Sequence, residues 1–176
     1  MDVDLPIIYL IVLVGLLITA GVLLFRQVRK TRRVESTLSR LENKLTKEKG
    51  SAQDYYELGT IYLDKRLYAQ SLTLLKKALK AKDLEGSENK ALIQNALGFT
   101  YAAQEQYDLA IRQYKEALEG LPEYPTAFNN LGFAYEKKQL TAQALEAYER
   151  ALAIDPKNTT AKRRADSLRK RLVPST

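Results

Sequence analysis

The sequence has no cysteine and no histidine among its 176 residues. Their absence excludes disulfides, thiol nucleophiles, Cys/His metal sites and Ser-His-Asp triads. Acidic residues such as Asp54, Glu57 and Asp64 are expected on solvated faces of helices, and the pattern indicates no acid–base pair in a cleft. The sequence therefore predicts no catalytic residue, no metal site and no cofactor, and we interpret the chain as something other than an enzyme.

The centre of the chain has no net positive charge, and the excess of basic residues lies at two flanks. Residues 26–50 carry nine Lys or Arg against three acidic residues, and residues 159–176 carry six against one. Residues 51–158 carry 13 against 15, so this central segment is nearly neutral. The sequence contains no recognised nucleic-acid motif, and we do not expect nucleic acid as a partner.

One long apolar run lies near the N-terminus. The residues from Ile7 to Phe25 carry no charge, and as a helix they reach about 28 Å, close to the roughly 30 Å of a bilayer core. The acidic start "MDVDL" favours a transmembrane helix over a cleaved signal peptide, and the lack of a polar face argues against a buried core helix. Residues 1–25 are therefore predicted to be a membrane anchor.

The segment that follows the anchor predicts its orientation. Five Lys or Arg lie between Arg26 and Arg33 and none precedes the apolar run, which places the N-terminus on the lumenal or periplasmic side and the rest on the cytoplasmic or stromal side. The same cations can contact anionic lipid headgroups. Residues 26–50 read as a stalk helix, whose apolar stripe either continues the anchor or forms a dimer seam, so a weak homo-oligomer stays open. That stripe consists of Val34, Leu38, Leu41 and Leu45.

A Leu-Gly pair followed by Tyr three residues after the Gly occurs three times. The glycines are Gly59, Gly98 and Gly132, at steps of 39 and 34 residues. Spacings of this size are typical of stacked structural repeats. The longer first step is expected to contain a polar insertion between units, residues 86–90, "GSENK".

Each unit divides into two amphipathic helices. Pro122 and Pro156 are predicted to end the second helices of two units. A Gly inside a helix costs about 1 kcal/mol relative to Ala, so we expect the three glycines to allow close packing of the paired helices. Five tyrosines of the pattern are predicted to be core residues: Tyr62, Tyr101, Tyr114, Tyr135 and Tyr148.

These units resemble tetratricopeptide repeats, which are helix–turn–helix units of 34 residues. The resemblance places units at 52–85, 91–124 and 125–158, within a repeat region of 51–158. It implies an all-α fold in which one N-terminal transmembrane helix precedes a right-handed superhelix of three repeats with a C-terminal capping helix. Unit two departs from the family pattern at Gln94, and unit one at Ser71, Leu75 and Asp83. Unit three matches throughout, with Phe128, Leu131, Gly132, Tyr135, Ala144, Tyr148, Ala151 and Pro156.

Residues 159–176 are predicted to form the capping helix and tail, because the last repeat otherwise leaves an apolar face bare. The predicted buried stripe is Ala161, Ala165, Leu168 and Leu172. The cations expected to point outward are Arg163, Arg164, Arg169, Lys170 and Arg171.

The resemblance also implies a concave groove that binds a protein segment. Asn side chains there can bond an extended backbone, and Phe rings supply contact area, although Phe99 and Phe133 can also pack between units. The positions of the carboxylate clamp that binds heat-shock protein tails lack cations here, since they hold Tyr56, Thr60, Thr126 and Asn130. The predicted groove lining is Tyr56, Thr60, Asn95, Phe99, Asn129, Asn130 and Phe133.

The order of anchor, stalk, three repeats and basic cap resembles a group of small membrane-anchored repeat proteins of cyanobacteria and red-algal plastids. That resemblance implies a thylakoid location and a role in photosystem I assembly or stability, with photosystem I subunits or assembly intermediates as partners. The architecture alone equally allows a general bacterial membrane scaffold that serves secretion, division or envelope complexes.

Overall fold

A computed structural model describes residues 4–172 of the chain, and throughout that range the regular structure is helical. The chain divides into two units, with the boundary between Lys47 and Glu48. The first contains one helix and the second contains seven. The helices are α1 Asp4–Lys47, α2 Ala52–Asp64, α3 Tyr68–Leu79, α4 Ser87–Ala103, α5 Tyr107–Gly120, α6 Pro125–Lys137, α7 Thr141–Ile154 and α8 Thr159–Leu172.

Helix α1 runs through the predicted anchor and the predicted stalk without a break at residue 25. Its apolar part, within Ile7–Lys47, is long and apolar enough to cross a membrane. The hydroxyl of Thr19 donates to the carbonyl oxygen of Gly15 at 2.8 Å, which satisfies a polar group inside the apolar stretch. The stalk is thus the second half of one 44-residue helix, which ends at Lys47.

The seven helices of the second unit form an array of pairs. Helix α2 packs on α3, α4 on α5, and α6 on α7, and each pair contacts the next. The first helices of successive pairs also contact one another, α2 with α4 and α4 with α6. We call α2, α4 and α6 the inner helices, because a stack that brings its first helices together curves around them.

Each helix pair is joined by the same turn. Arg66, Glu105 and Gln139 occupy equivalent repeat positions and have φ of 61°, 60° and 61°. The amide of the next residue bonds the carbonyl oxygen five residues back, as Leu140 does to Tyr135 at 2.9 Å. This is the Schellman arrangement, which a left-handed residue completes and which favours glycine.

The left-handed turn predicts a stabilising substitution. Gln139→Gly should raise the midpoint of thermal unfolding, because glycine adopts this left-handed conformation without the cost of about 1 kcal/mol that a residue with Cβ pays. Gln139→Val should lower the midpoint, since a β-branched residue tolerates this conformation least. Thermal unfolding followed by circular dichroism would measure both, and equal effects of the two variants would contradict the argument.

The three glycines lie where the paired helices come closest, as predicted. A Cβ on Gly98 would lie 2.5 Å from the ring of Tyr114, and one on Gly132 would lie 2.9 Å from the ring of Tyr148. In unit one a Cβ on Gly59 would lie 3.0 Å from the side chain of Leu75. Of the predicted core tyrosines, four are buried and Tyr62 is half-buried; the four are Tyr101, Tyr114, Tyr135 and Tyr148.

A side-chain pair explains why unit two departs from the family pattern at Gln94. In units one and three a cation lies over an aromatic ring, Lys77 over Tyr55 at 5.8 Å and Arg150 over Phe128 at 5.7 Å. The matching positions of unit two hold Gln94 and Glu116. There the Nε2 of Gln94, which is buried, donates to Oε2 of Glu116 at 3.0 Å. A hydrogen bond thus replaces a cation–π contact at the same place in the repeat.

The N-terminus of α2 corrects the prediction that Asp54 is solvated. Asp54 is buried, because its carboxylate accepts from the backbone N–H of Ser51 at 2.9 Å while the Ser51 hydroxyl accepts from the backbone N–H of Asp54 at 3.1 Å. Asp83, where the family pattern has proline, accepts from the backbone N–H of Ala52 at 3.1 Å. Two acidic residues therefore cap one helix.

The predicted polar insertion is also placed differently. Residues 87–90 form the first turn of α4, which has 17 residues where α2 and α6 have 13. Only Gly86, with φ of 80°, stays outside the helix as its N-terminal cap. The extra residues therefore lengthen an inner helix and do not form a loop between units.

The capping helix α8 packs on α7. The carboxamide oxygen of Asn158 accepts from the backbone N–H of Ala161 at 3.0 Å and so caps its N-terminus. Ala161, Ala165 and Leu168 are buried as predicted, but Leu172 is 45% exposed, so the predicted stripe is one residue too long.

Candidate partner-binding groove

The residues predicted to line the groove all lie on the inner helices, but the structure gathers only some of them. Four of the seven line one cavity of about 400 Å³, namely Phe99, Asn129, Asn130 and Phe133. Tyr56 instead borders a smaller cavity of about 110 Å³ near the start of α2. Thr60 and Asn95 line neither of these cavities. We call the larger one the cap cavity, because α8 forms one of its walls through Thr160 and Arg164.

Phe99 and Phe133 occupy equivalent positions on α4 and α6. Their side chains are 49% and 37% exposed, and both border the cap cavity. Each ring therefore keeps part of its surface in contact with solvent, and the rest of each ring is buried against the protein. Adjacent exposed aromatic residues are typical of surfaces that bind protein segments.

The asparagines form a polar connection between units. The Nδ2 of Asn130 donates to Oδ1 of Asn95 at 3.0 Å, and the Nδ2 of Asn95 donates to the hydroxyl of Tyr124 at 3.2 Å. Both ends of the Asn95 amide are thus engaged within the chain, where the sequence suggested that they meet a partner's backbone. The sequence did not single out Tyr124, which is the N-cap residue of α6 and precedes the helix-starting Pro125.

The environment of Tyr124 is partly desolvated. Burial and the nearby Tyr56 raise the pKa of Tyr124, while the hydrogen bond from Asn95 acts in the opposite direction. Burial likewise raises the pKa of Tyr56. Both hydroxyls therefore stay protonated at neutral pH and can donate a hydrogen bond.

Asn129 differs from Asn95 and Asn130. Its Oδ1 is buried and has no hydrogen-bond partner among the residues that the structure describes. Asn129 borders the cap cavity, so its amide is placed beside the space that an occupant of the cavity would fill.

The wall behind the cap cavity contains a tyrosine, a carboxylate and an arginine. Tyr148 is buried, and burial together with the neighbouring Glu136 carboxylate raises its pKa far above the ordinary value. The Oε2 atom of Glu136 lies 3.5 Å from Nη1 of Arg164. The prediction that Arg164 points outward is therefore wrong, since it lies half-buried at the wall and borders the cavity.

Two of the other cations on α8 remain on the outside. Arg169 pairs with Glu149 at 2.8 Å and with Asp166 at 3.0 Å, and it is half-exposed. Arg163 is exposed and does not border the cap cavity. Arg164 could have been distinguished from them in the sequence only by its helical phase, which places it between the buried Ala161 and Ala165.

Comparison with known proteins gives the family. Models of the tetratricopeptide repeat match residues 52–83 and 125–158, and a model described as TPR repeat matches residues 98–139. The ycf37 protein of Cyanophora paradoxa is 38% identical over 141 residues, which cover 80% of this chain and 81% of that protein. This chain is a member of the ycf37 family of tetratricopeptide-repeat proteins.

Other members and relatives support the same assignment. The ycf37 protein of Guillardia theta is 34% identical over 120 residues, which cover 68% of this chain and 67% of that protein. The chloroplastic tetratricopeptide repeat domain-containing protein PYG7 of Arabidopsis thaliana is 33% identical over 164 residues. That match covers 93% of this ycf37-type chain but 54% of PYG7, so PYG7 contains a further region.

Solved structures agree with the fold of the ycf37-type chain. The crystal structure of MamA has a TM-score of 0.72 at 20% identity and covers 82% of this chain and 81% of its own. The first repeat domain of RPAP3 bound to an HSP90 peptide has a TM-score of 0.63 at 20% identity, covering 69% of this chain and 92% of its own. At this identity the likeness concerns the fold alone. Tetratricopeptide-repeat proteins are typically scaffolds for protein interactions, and no catalytic family is indicated.

Proposed function

We propose that this protein is a membrane-anchored scaffold that holds a partner protein against its inner helices and thereby assists photosystem I assembly or stability. The observation that carries the proposal is the pair of exposed rings, Phe99 and Phe133, at one apolar cavity on the inner side of a repeat array. The fold supplies curvature, and the rings supply an apolar contact of the kind that dominates protein interfaces.

The membrane anchor is supported by the composition of α1. Between Ile7 and Phe25 its large apolar side chains are 45–68% exposed, which is unfavourable in water and favourable in lipid. Arg29 lies over the ring of Phe25 at 5.6 Å, where the apolar run gives way to basic residues. This arrangement suits a helix that leaves the hydrocarbon at Phe25, with the N-terminus in the lumen and the repeats in the stroma or cytoplasm.

The plastid context supports the choice of partner. The relatives include a chloroplastic protein and the ycf37 proteins of two algae, and the order of anchor, stalk, repeats and cap resembles the group tied to photosystem I. A thylakoid location follows for the proposed scaffold, with photosystem I subunits or assembly intermediates as the bound proteins.

The topology can be tested with single cysteines, because the chain has none of its own. Ser167→Cys, at an exposed position on α8, should react with a membrane-impermeant maleimide on sealed thylakoid vesicles whose stromal face is outside. Val3→Cys should react only after detergent opens the vesicles. The opposite labelling pattern would place the repeats in the lumen and contradict the proposed topology.

The partner can be tested by capture from mildly solubilised thylakoid membranes, with mass spectrometry of the bound proteins. We expect the tagged full-length protein to enrich photosystem I subunits, and Phe99→Ser with Phe133→Ser to reduce this enrichment at least about ten-fold, as loss of two aromatic anchors does at interfaces. The matched control replaces Leu67 and Leu140 with Ser, since both are 39% exposed and lie in turns outside the groove. Enrichment of envelope or secretion proteins instead would support the general bacterial scaffold.

A further inference from the structure

The cap cavity has one charged residue among the described residues that line it, and that residue is Arg164. Its remaining lining is aromatic, small or amide-bearing: Phe99, Ala102, Ala103, Tyr114, Asn129, Asn130, Phe133, Tyr148 and Thr160. A cavity of about 400 Å³ with apolar walls and a cation on one side is chemically asymmetric. It suits an occupant with an apolar body and a negative charge beside it.

Arg164 has hydrogen-bonding capacity left for such an occupant. Its guanidinium carries five N–H donors, and its contact with Glu136 is 3.5 Å long, where a strong charge-assisted bond measures about 2.7–2.9 Å. The Arg164 side chain is 42% exposed, whereas the Glu136 side chain is 17% exposed and lies behind it. The carboxylate therefore positions the guanidinium from behind without occupying all its donors.

A second cation lies near the edge of the same cavity. The ammonium group of Lys137 lies 5.5 Å from the centre of the Phe133 ring, and Lys137 is exposed. Lys138, the next residue, instead pairs with Asp108 at 2.9 Å. Lys137 thus adds a positive charge near the Phe133 ring, and this charge attracts an acidic segment.

We infer that the cap cavity binds a partner segment in which a bulky apolar side chain stands next to an aspartate or glutamate. The apolar side chain enters between Phe99 and Phe133, and the neighbouring carboxylate binds the guanidinium of Arg164. Lys137 adds a longer-range attraction. This inference rests on the proposed function, in which the inner helices bind a protein, and it specifies the chemistry of the bound segment. The capping helix, beyond closing the core, thereby contributes a specificity-determining residue.

The experiment uses the full-length protein in nanodiscs of zwitterionic lipid and four short peptides with acetylated and amidated ends. The peptides share one Gly-Ser frame around a central pair, which is 4-fluoro-Phe-Asp, 4-fluoro-Phe-Asn, 4-fluoro-Phe-Lys or 4-fluoro-Phe-Ser. Fluorine NMR line broadening of each peptide measures weak binding directly, and empty nanodiscs give the background from lipid. We expect the Asp peptide to bind about five-fold or more tightly than the Asn peptide.

Variants assign the preference to the cavity. Arg164→Gln should remove the preference for Asp over Asn while leaving the Asn peptide unchanged. Arg163→Gln is the matched control, because it removes the same charge from an adjacent, exposed position and should leave the preference intact. Phe133→Ser should weaken the binding of all four peptides. Arg164→Lys should retain part of the preference, which separates loss of charge from any disturbance of α8.

The outcomes separate this inference from the proposed function. Equal binding of the Asp, Asn and Lys peptides would overturn the role of Arg164, while the capture of a partner through Phe99 and Phe133 would still stand. A preference that persists in Arg164→Gln, or is lost in Arg163→Gln, would overturn the assignment to the cavity. Absence of binding by every peptide would overturn the inference, and failure of the capture experiment alone would overturn the proposed function.

Discussion

Replacing Gly98 with alanine should lower the free energy of unfolding of the repeats by about 2–3 kcal/mol, in the upper part of the range for overfilling a packed core. The added Cβ would lie 2.5 Å from a ring atom of Tyr114, closer than real Cβ contacts, so the ring or one of the paired helices would have to shift. The gain of about 1 kcal/mol from replacing Gly by Ala in a helix is too small to offset this overlap.

The measurement can be confined to the repeats in the full-length protein. Ten of the eleven tyrosines lie after Lys47 and one, Tyr9, lies in α1. Near-ultraviolet circular dichroism of tyrosine during thermal or denaturant unfolding therefore reports on the second unit, even with α1 in a detergent that has no aromatic ring.

Matched variants of the same glycine motif provide the control. The Cβ added by Gly132→Ala would lie 2.9 Å from the Tyr148 ring, so this variant should lose less stability than Gly98→Ala. Gly59→Ala meets Leu75, a flexible side chain, at 3.0 Å and should be close to neutral. In the Tyr114→Leu background, which lacks the ring, Gly98→Ala should cost much less stability than it does in the wild-type protein. An equal gain of about 1 kcal/mol at all three glycines would show that helix propensity, and not the overlap with the partner helix, determines the effect.

The repeats could be predicted from the sequence because each constraint recurs. Gly59, Gly98 and Gly132 meet the same requirement for close approach in three units, so a periodic pattern survives even where single residues change. The expectation that Phe99 and Phe133 lie on the inner side came from the resemblance to tetratricopeptide repeats, whose groove positions could be transferred once the repeat boundaries were known.

The contacts that could not be predicted from the sequence join residues that are far apart in the chain. Asp83 caps a helix that begins 31 residues earlier, and Arg164 reaches Glu136 from 28 residues away. Each of these two contacts occurs only once among the described repeats, so the repeat pattern does not predict it. The exposure of Leu172 was also not predicted. An apolar stripe predicts which face of a helix is buried, but it does not predict how far the neighbouring helix extends along that face.

The second large expected effect concerns the packing of the capping helix α8 on α7, which stabilises the repeats. Leu168→Ala should lower the stability of the repeats by about 2–4 kcal/mol, because it leaves a cavity at a side chain that is 2% exposed. Leu172→Ala removes the same atoms from a side chain that is 45% exposed, and should change stability by less than about 0.5 kcal/mol. The same tyrosine signal measures both variants.

The pair also tests which part of α8 carries the contact with α7. A large cost for Leu172→Ala would mean that the apolar stripe extends to the end of the helix, as its spacing alone suggests. A large cost for Leu168→Ala alone supports a contact that ends at Leu168. Arg164 lies one helical turn before Leu168, so loosening this contact should also weaken the hold of Glu136 on the guanidinium. Leu168→Ala is then expected to reduce the preference for Asp peptides even below the unfolding midpoint, while Leu172→Ala leaves it unchanged.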